Sequence, residues 1–375
     1  VRLDRFITLN LVRPFRCGLT RIGYFGRRSS ASRLRPSAFG EALPVLMYHS
    51  ISDDPESGVR PYYRVCTSSR RFREQMQWLT DNGHQGVTLS TGLAWLNSNS
   101  MFDVQSKNTS TPKSETGSRC SESGDIKPVA ITFDDGFRNF YTAAFPVLRE
   151  FGFTATMFLP TAFIAGTPSS PSPQREEGRG EVTAPSSLHR AFASVARREF
   201  KGRECLAWNE VRELSSAGME FGSHTVNHPK LAELSQAEVK LEIQNSKLEM
   251  EAHLGAPCTT FAYPYAFPQA SRDFVVRFKD LLKSSGYEAN VTTQIGRHRP
   301  GDDALQIKRL PVNQADDLPL FAAKLGGAYD WLGSFQALSK KFRRGWKNPG
   351  GISKPADQKL QMDSLVAAQI AQLDE

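Results

Sequence analysis

Cysteine is scarce in this chain and scattered. The five residues, Cys17, Cys66, Cys120, Cys205 and Cys258, are odd in number, widely spaced and never arranged as Cys-x-x-Cys. That pattern argues against a disulfide framework and against a thiolate zinc site, and leaves most of them as isolated small apolar side chains. No run of about 18 apolar residues occurs, so a transmembrane helix is not expected. Acids are sparse in two stretches near the ends. Residues 1–41 carry nine Arg against Asp4 and Glu41, and residues 331–355 carry Lys340, Lys341, Arg343, Arg344, Lys347 and Lys354 with no acid. The formal net charge of +8 therefore resides at the ends, around a body that is close to neutral. Basic ends of this kind suit an anionic surface, lipid headgroups or an acidic polymer, with no nucleic acid implied; solvated tails are the plainer reading.

The length of 375 residues allows one large domain of barrel size or two average ones. Residues 1–41 read as a poorly ordered basic leader. Its apolar patch FITLNLV is interrupted by Asn10 and short for a signal-peptide core, so a segment lying on a membrane and a mis-set translation start both fit. Localisation stays unassigned, leaning towards the cell envelope. Residues 42–330 form the body, and residues 331–375 a basic, then amphipathic, tail.

Within the body, apolar strand signals alternate with amphipathic helices. LPVLMYHS (43–50) reads as a buried strand ending at His49, RRFREQMQWLTDNG (70–83) as a helix stopped by Asn82-Gly83, and GVTLS (86–90) as a short strand. The polar stretch 97–127 reads as a loop or insert, and the Pro, Ser, Gly and Glu-rich stretch within 166–190 as a second, disordered one. VAITF leads into a helix over 138–151, then the strand FTATMFLP, the helix WNEVRELSSAG and the strand MEFGSHT. The next helix opens on a Ser235–Glu238 capping box and ends at Gly255; TTFAYPY, RDFVVRFKDLLKSSG, EANVTT and IKRLPV follow as strand, helix, strand and strand. Such alternation implies a parallel sheet, and seven or more units favour a closed or nearly closed α/β barrel, with chemistry on loops at the strands' C-terminal ends. His49, Asp134, Asp135, His224 and Tyr265 all fall at such ends.

Asp134 and Asp135 close the apolar run of ITFDDGF (131–137). Adjacent buried carboxylates repel, so a cation or proton must compensate them. His224 and His228, in GSHTVNHPKL, are two of only seven His and are spaced four apart on a strand-to-loop turn, which suits two ligands of one metal. Two His and one carboxylate leave coordination positions open, and the second carboxylate is then free to act as a base. The same ligand types serve iron oxygenases, but those use an antiparallel double-stranded barrel, which the strand–helix alternation here opposes.

TFDDG, HTVNH and FAYPYA in this order resemble the NodB-type polysaccharide deacetylases, carbohydrate esterase family 4, over roughly residues 42–330. The resemblance implies a distorted (β/α) barrel, with Asp134 as catalytic base and Asp135, His224 and His228 as ligands of a divalent metal, most often zinc. It further implies that Tyr263, Pro264 and Tyr265 form the acetate-side groove, with the Tyr265 N–H aimed at the oxyanion. Two departures stand out. Many members carry an Arg, paired with the catalytic Asp, where this chain has Ala262, and the late Leu-x-His motif that supplies the general acid has no match. His49 is the substitute expected here, with His298 second; a strand-capping His49 is the plainer alternative. Trp208 could line the groove and stack on a sugar ring, although a Trp at a helix start more often packs in the core. Arg309 is expected to reach the site from a late strand, or else to make a surface ion pair.

These readings imply a metal-dependent hydrolase that removes N-acetyl groups from hexosamine units of a cell-envelope or extracellular polysaccharide. An O-acetyl esterase and a glycan-binding pseudoenzyme on the same fold are the alternatives.

Overall fold

The computed structural model describes residues 3–12, 42–108, 127–165, 199–268 and 271–333. Eight parallel strands form the main sheet: β1 (Val45–Tyr48), β2 (His84–Val87), β3 (Lys127–Phe133), β4 (Thr156–Leu159), β5 (Glu220–Ser223), β6 (Thr260–Ala262), β7 (Ala289–Ile295) and β8 (Ile307–Pro311). The order is β1-β8-β7-β6-β5-β4-β3, and β3 pairs back onto β1, so seven strands close a barrel. The eighth, β2, is wedged at the bottom: it pairs with Lys127–Ala130 of β3, whose later residues Thr132 and Phe133 pair with β4. This wedge is the distortion in the expected barrel.

Buried strands of a closed parallel barrel need apolar residues on both faces, and β3 shows it, with Val129 to Phe133 all inaccessible. The helices that cover the barrel have local causes. Helix α1 (Ser69–Asp81) starts where Ser68 Oγ accepts from the Arg71 N–H, buries Phe72, Met76 and Leu79 on one stripe, and ends before Gly83 at φ +71°. The long helix Gln236–Leu254 opens on the expected Ser235–Glu238 capping box and ends at Gly255, φ +66°.

Four sequence expectations change. GVTLS is not a strand over 86–90. β2 ends at Val87, Thr88 Oγ1 accepts from the Thr91 N–H as an N-cap, and α2 (Leu89–Asn108) begins there. Leu89 and Leu96, with the half-buried Leu93, are its apolar stripe, which a strand over 86–90 would split. Residues 97–108, expected as loop, continue that helix, and the remainder of that insert lies outside the described residues. The helix expected over 138–151 is a π-helical turn, Phe140–Ala144, followed by α3 (Phe145–Glu150). Pro146 near its start lacks the N–H that would continue a uniform ladder. Part of the leader is also ordered: Leu3–Phe6 and Ile7–Val12 are helical and packed on the body. Arg5 meets Asp317, the Tyr329 hydroxyl donates to Asp4, and Trp331 donates to Thr8. The insert within 166–190 and the tail beyond 333 lie outside the described residues, among which no helix is long and apolar enough to cross a membrane.

Strand register decides which side chains face the barrel axis. Val45 pairs with Ala130 and Met47 with Thr132, which carries the alternation to His49 and Asp134. From Thr132 it continues through Thr156 and Phe158 to Gly222, the residue two before His224. Gly222 has no room for a side chain, since a Cβ there would lie 2.5 Å from Phe158 and Thr260 Oγ1. Val291 pairs with Ile307, two before Arg309. His49, Asp134, His224 and Arg309 thus share the inward register at the upper end of the barrel.

Candidate active site

Asp134 follows β3 on the inward register and is buried. Arg309, only 1% exposed on β8, grips it with two parallel hydrogen bonds, Nη1 to Oδ1 at 2.7 Å and Nη2 to Oδ2 at 2.8 Å. The guanidinium is itself fixed, with Nε donating to the Thr292 carbonyl at 3.0 Å and Nη1 to Thr132 Oγ1 at 3.3 Å. Burial pushes the Asp134 pKa up, but Arg309, with help from the neighbouring His224 and His49, outweighs it and brings it down to about 2. The buried pair overturns the surface-ion-pair alternative for Arg309. It also shows where the cation missing at Ala262 is supplied: Ala262 is buried, its carbonyl accepts from His224, and the guanidinium comes from β8.

Asp135 points elsewhere because its backbone is left-handed, φ +73°, and Gly136 follows at +64°. The turn swings its carboxylate towards the His224–His228 loop. Oδ1 lies 3.3 Å from His228 Nε2 and 3.8 Å from His224 Nε2, and the three candidate ligand atoms lie within 4.8 Å of one another. His224 Nδ1 donates to the Ala262 carbonyl at 2.8 Å, which places its proton there and leaves Nε2 bare. Burial, reinforced by His228, pushes the His224 pKa down to about 3, so its ring is neutral at pH 7, the form that binds metals. Asp135 stays ionised. Burial opposes its charge, but His228 and then His49, Lys201 and His224 hold its pKa well below the ordinary range. A divalent ion fits this set: two imidazoles and one carboxylate, all buried, with one ligand atom from each close enough to be shared by a single ion.

The His228 loop is built to hold an unfavourable backbone. Thr225 (φ +69°) and His228 (φ +53°) are both left-handed. The loop is tied by the His228 N–H to Thr225 Oγ1 and by the Val226 and Asn227 N–H groups to Glu242 Oε2, each at 2.9 Å. Among the described residues six non-glycine residues have positive φ, and five of them, Asp135, Lys201, Thr225, His228 and Tyr265, surround the site. Strain concentrated in this way marks a functional region.

The other expected residues divide. His49 lies at the end of β1 with Nε2 3.9 Å from Asp134 Oδ2, facing it beyond direct hydrogen-bond range. Burial lowers its pKa, against the opposing pull of Asp134 and Asp135. The loop after it is fixed by Asn139, which accepts from the Ile51 N–H and donates to Ser50. Tyr265 is 45% exposed, its ring 4.6 Å from that of His228, and its N–H meets no acceptor among the described residues. Three expectations are corrected. Trp208 is 1% exposed and stacked on His253 at 3.9 Å, so it packs the core and offers no face to a sugar. Tyr263 is buried among Phe267, Phe274 and Phe278, and Pro264 is buried too, so of that trio only Tyr265 reaches the surface. His298 exchanges backbone hydrogen bonds with Leu43, at the entry end of β1, about 20 Å along the strand direction from His49. It cannot serve this rim.

One residue at the site was not anticipated. Lys201 Nζ lies 3.0 Å from Asp135 Oδ2. It sits on a short hairpin of Glu199–Phe200 and Arg203–Glu204, directly after a long polar stretch. EFKGRE contains a two-residue Lys-Gly turn signal, but nothing local ties it to the metal ligands.

A closed parallel α/β barrel with two imidazoles and a carboxylate converging beside an Arg-bound aspartate is a barrel with a candidate metal centre, of a kind suited to hydrolysis. Comparison with known proteins narrows the class. The sequence profile described as "Polysaccharide deacetylase" matches residues 121–289, which hold Asp134, Asp135, His224, His228 and Tyr265 but neither His49 nor Arg309. YxkH of Bacillus subtilis (strain 168), named as a polysaccharide deacetylase, is 25% identical over 291 residues, 76% of this chain and 75% of its own length. The poly-beta-1,6-N-acetyl-D-glucosamine N-deacetylase of Escherichia coli (strain K12) is 26% identical over 185 residues, 49% of this chain but 20% of its own length. Among solved structures, IcaB from Ammonifex degensii shares the fold with a TM-score of 0.51 at 23% identity, over 76% of this chain and 97% of its own. Across residues 121–289 the chain is similar to the polysaccharide deacetylase family.

Proposed function

We propose that the body of the chain, residues 42–330, is a metal-dependent hydrolase that removes N-acetyl groups from hexosamine units of an envelope or extracellular polysaccharide, releasing acetate. The observation that carries the reading is the division of labour between adjacent aspartates: Arg309 holds one ionised, and the other faces the Nε2 atoms of two imidazoles. The E. coli relative, named for N-deacetylation of a β-1,6-linked N-acetylglucosamine polymer, supports the substrate class.

A divalent ion held by Asp135, His224 and His228, zinc by family resemblance, supplies Lewis acidity towards the acetamide carbonyl and lowers the pKa of water. Asp134 removes a proton from the attacking water, a task open to it at any pH above about 2. Arg309 keeps both carboxylate oxygens oriented. The Tyr265 N–H donates to the oxyanion as the carbonyl becomes tetrahedral. His49, neutral near pH 7 because burial lowers its pKa, accepts the proton from Asp134 and passes it to the departing nitrogen as the C–N bond breaks. Acetate and a free amino sugar result. The basic ends rest against an anionic surface of the envelope, a reading supported by the exposed Leu3, Phe6 and Leu11 in the N-terminal helical segment.

The test is incubation of the full chain, loaded with zinc, with oligomers of β-1,6-linked N-acetylglucosamine. Acetate and primary amine are expected to appear in equal amounts. Acetate released only from O-acetylated glycans, without amine, would replace this reading with an esterase. Tight glycan binding with no acetate from either would replace it with a pseudoenzyme.

A further inference from the structure

The hairpin that carries Lys201 is fastened to the loop leaving the aspartate pair. The Arg138 N–H donates to the Glu204 carbonyl at 2.8 Å, and the Leu206 N–H to the Gly136 carbonyl at 2.9 Å. Its tip, Lys201-Gly202, has φ of +51° and +70°, two successive left-handed residues, as the tight two-residue turn with glycine second requires. Phe200 anchors it from below, its ring 4.4 Å from Phe163 and 5.0 Å from His228. The ammonium is therefore presented, with Nζ 4.6 Å from the Phe200 ring centre and 5.6 Å from that of Tyr265. It meets Asp135 at Oδ2, the oxygen opposite the one that faces His224 and His228. Asp135 is 2% exposed, whereas the Lys201 side chain is 41% exposed, so the pair stands at the mouth of the site.

We propose that Lys201 is a counter-cation built into the metal centre, which holds the Asp135 carboxylate ready and sets the metal affinity by opposing the ion with a fixed positive charge. The inference rests on the metal-hydrolase reading and extends it to the regulation of metal occupancy. One carboxylate serves two cations, one through each oxygen, so a divalent ion must bind within a few ångströms of an ammonium that the hairpin keeps in place. At that separation, even the high effective dielectric of a protein surface leaves a repulsion worth at least about tenfold in affinity. The compensation runs the other way in the metal-free protein. There Lys201 offsets the repulsion between two buried carboxylates, and its loss leaves Asp135 with the histidines alone.

The experiment uses the full chain stripped with a chelator, titrated with zinc or cobalt alone against a chromophoric competitor, with Lys201→Met, Lys201→Gln and Lys201→Arg compared with wild type. The two uncharged variants are expected to bind about tenfold more tightly, and the Arg variant like wild type. Their melting temperatures are expected to be lower than wild type without metal and to rise further on its addition. Equal or weaker binding by both uncharged variants, with normal wild-type binding, would overturn the proposal and reduce Lys201 to a passive neighbour or a carboxylate-orienting residue. A wild-type chain that takes up no stoichiometric zinc would overturn the metal-hydrolase reading itself, and this inference with it.

Discussion

Asp134→Asn is expected to slow acetate release by about 10²–10⁴-fold while zinc binding stays within a few fold of wild type. The substitution keeps the shape of the side chain but removes its capacity to take a proton, together with the charge that pairs with Arg309. Metal affinity is spared because the nitrogen and oxygen atoms facing the ion belong to Asp135, His224 and His228. Turnover and zinc titration on the same preparation check it. A parallel loss of zinc binding would place Asp134 among the ligands, and turnover near wild type would remove it from the reaction.

Arg309→Met is expected to destabilise the fold by about 3–5 kcal/mol at neutral pH, measured by urea unfolding of the metal-free chain. Arg309 and Asp134 are both buried, and removing one partner strands the other's charge. The pH dependence carries the sharper signature. In the wild type the folded Asp134 has a pKa of about 2, below its unfolded value of 3.8. The pair therefore contributes stability that is fully present above the unfolded value and is lost as the pH falls towards 2. Without Arg309, burial dominates and pushes that pKa up, so folding favours the protonated acid and stability falls as the pH rises. The gap between the two proteins should be widest at neutral pH and narrow on acidification. A gap that does not change with pH would mean that Arg309 acts by packing alone.

The parts of this molecule that declare themselves in the sequence are those whose cause is local. The alternation of buried strands and amphipathic helices arises from residue period, and the adjacent acids of ITFDDGF and the spacing of His224 and His228 arise from what one metal ion needs. Arg309 was harder to place. A lone arginine in the apolar strand IKRLPV is odd, but its partnership with Asp134 exists only because β8 closes onto β1 and β1 onto β3. Trp208 and Tyr263 are ambiguous in the sequence for a related reason. An aromatic next to a motif looks like a sugar platform, whereas helix packing against His253 and a cluster of phenylalanines decided their burial. His298 follows the same logic, since its position along the barrel axis depends on where the chain turns back after β7. Lys201 and Glu242 read as surface charges; only the folded loops bring one to Asp135 and the other to the backbone of 226–227.

Zinc stoichiometry and acetate release, measured together on wild type, Asp135→Ala and His224→Ala, bear most directly on the convergence of three side chains on one ion. Wild type should bind one zinc per chain, lose acetate release when a chelator removes it and regain release when zinc is restored, while both variants fail to retain the ion. Undiminished release by the stripped wild type, or zinc retained by either variant with wild-type affinity, would contradict the account.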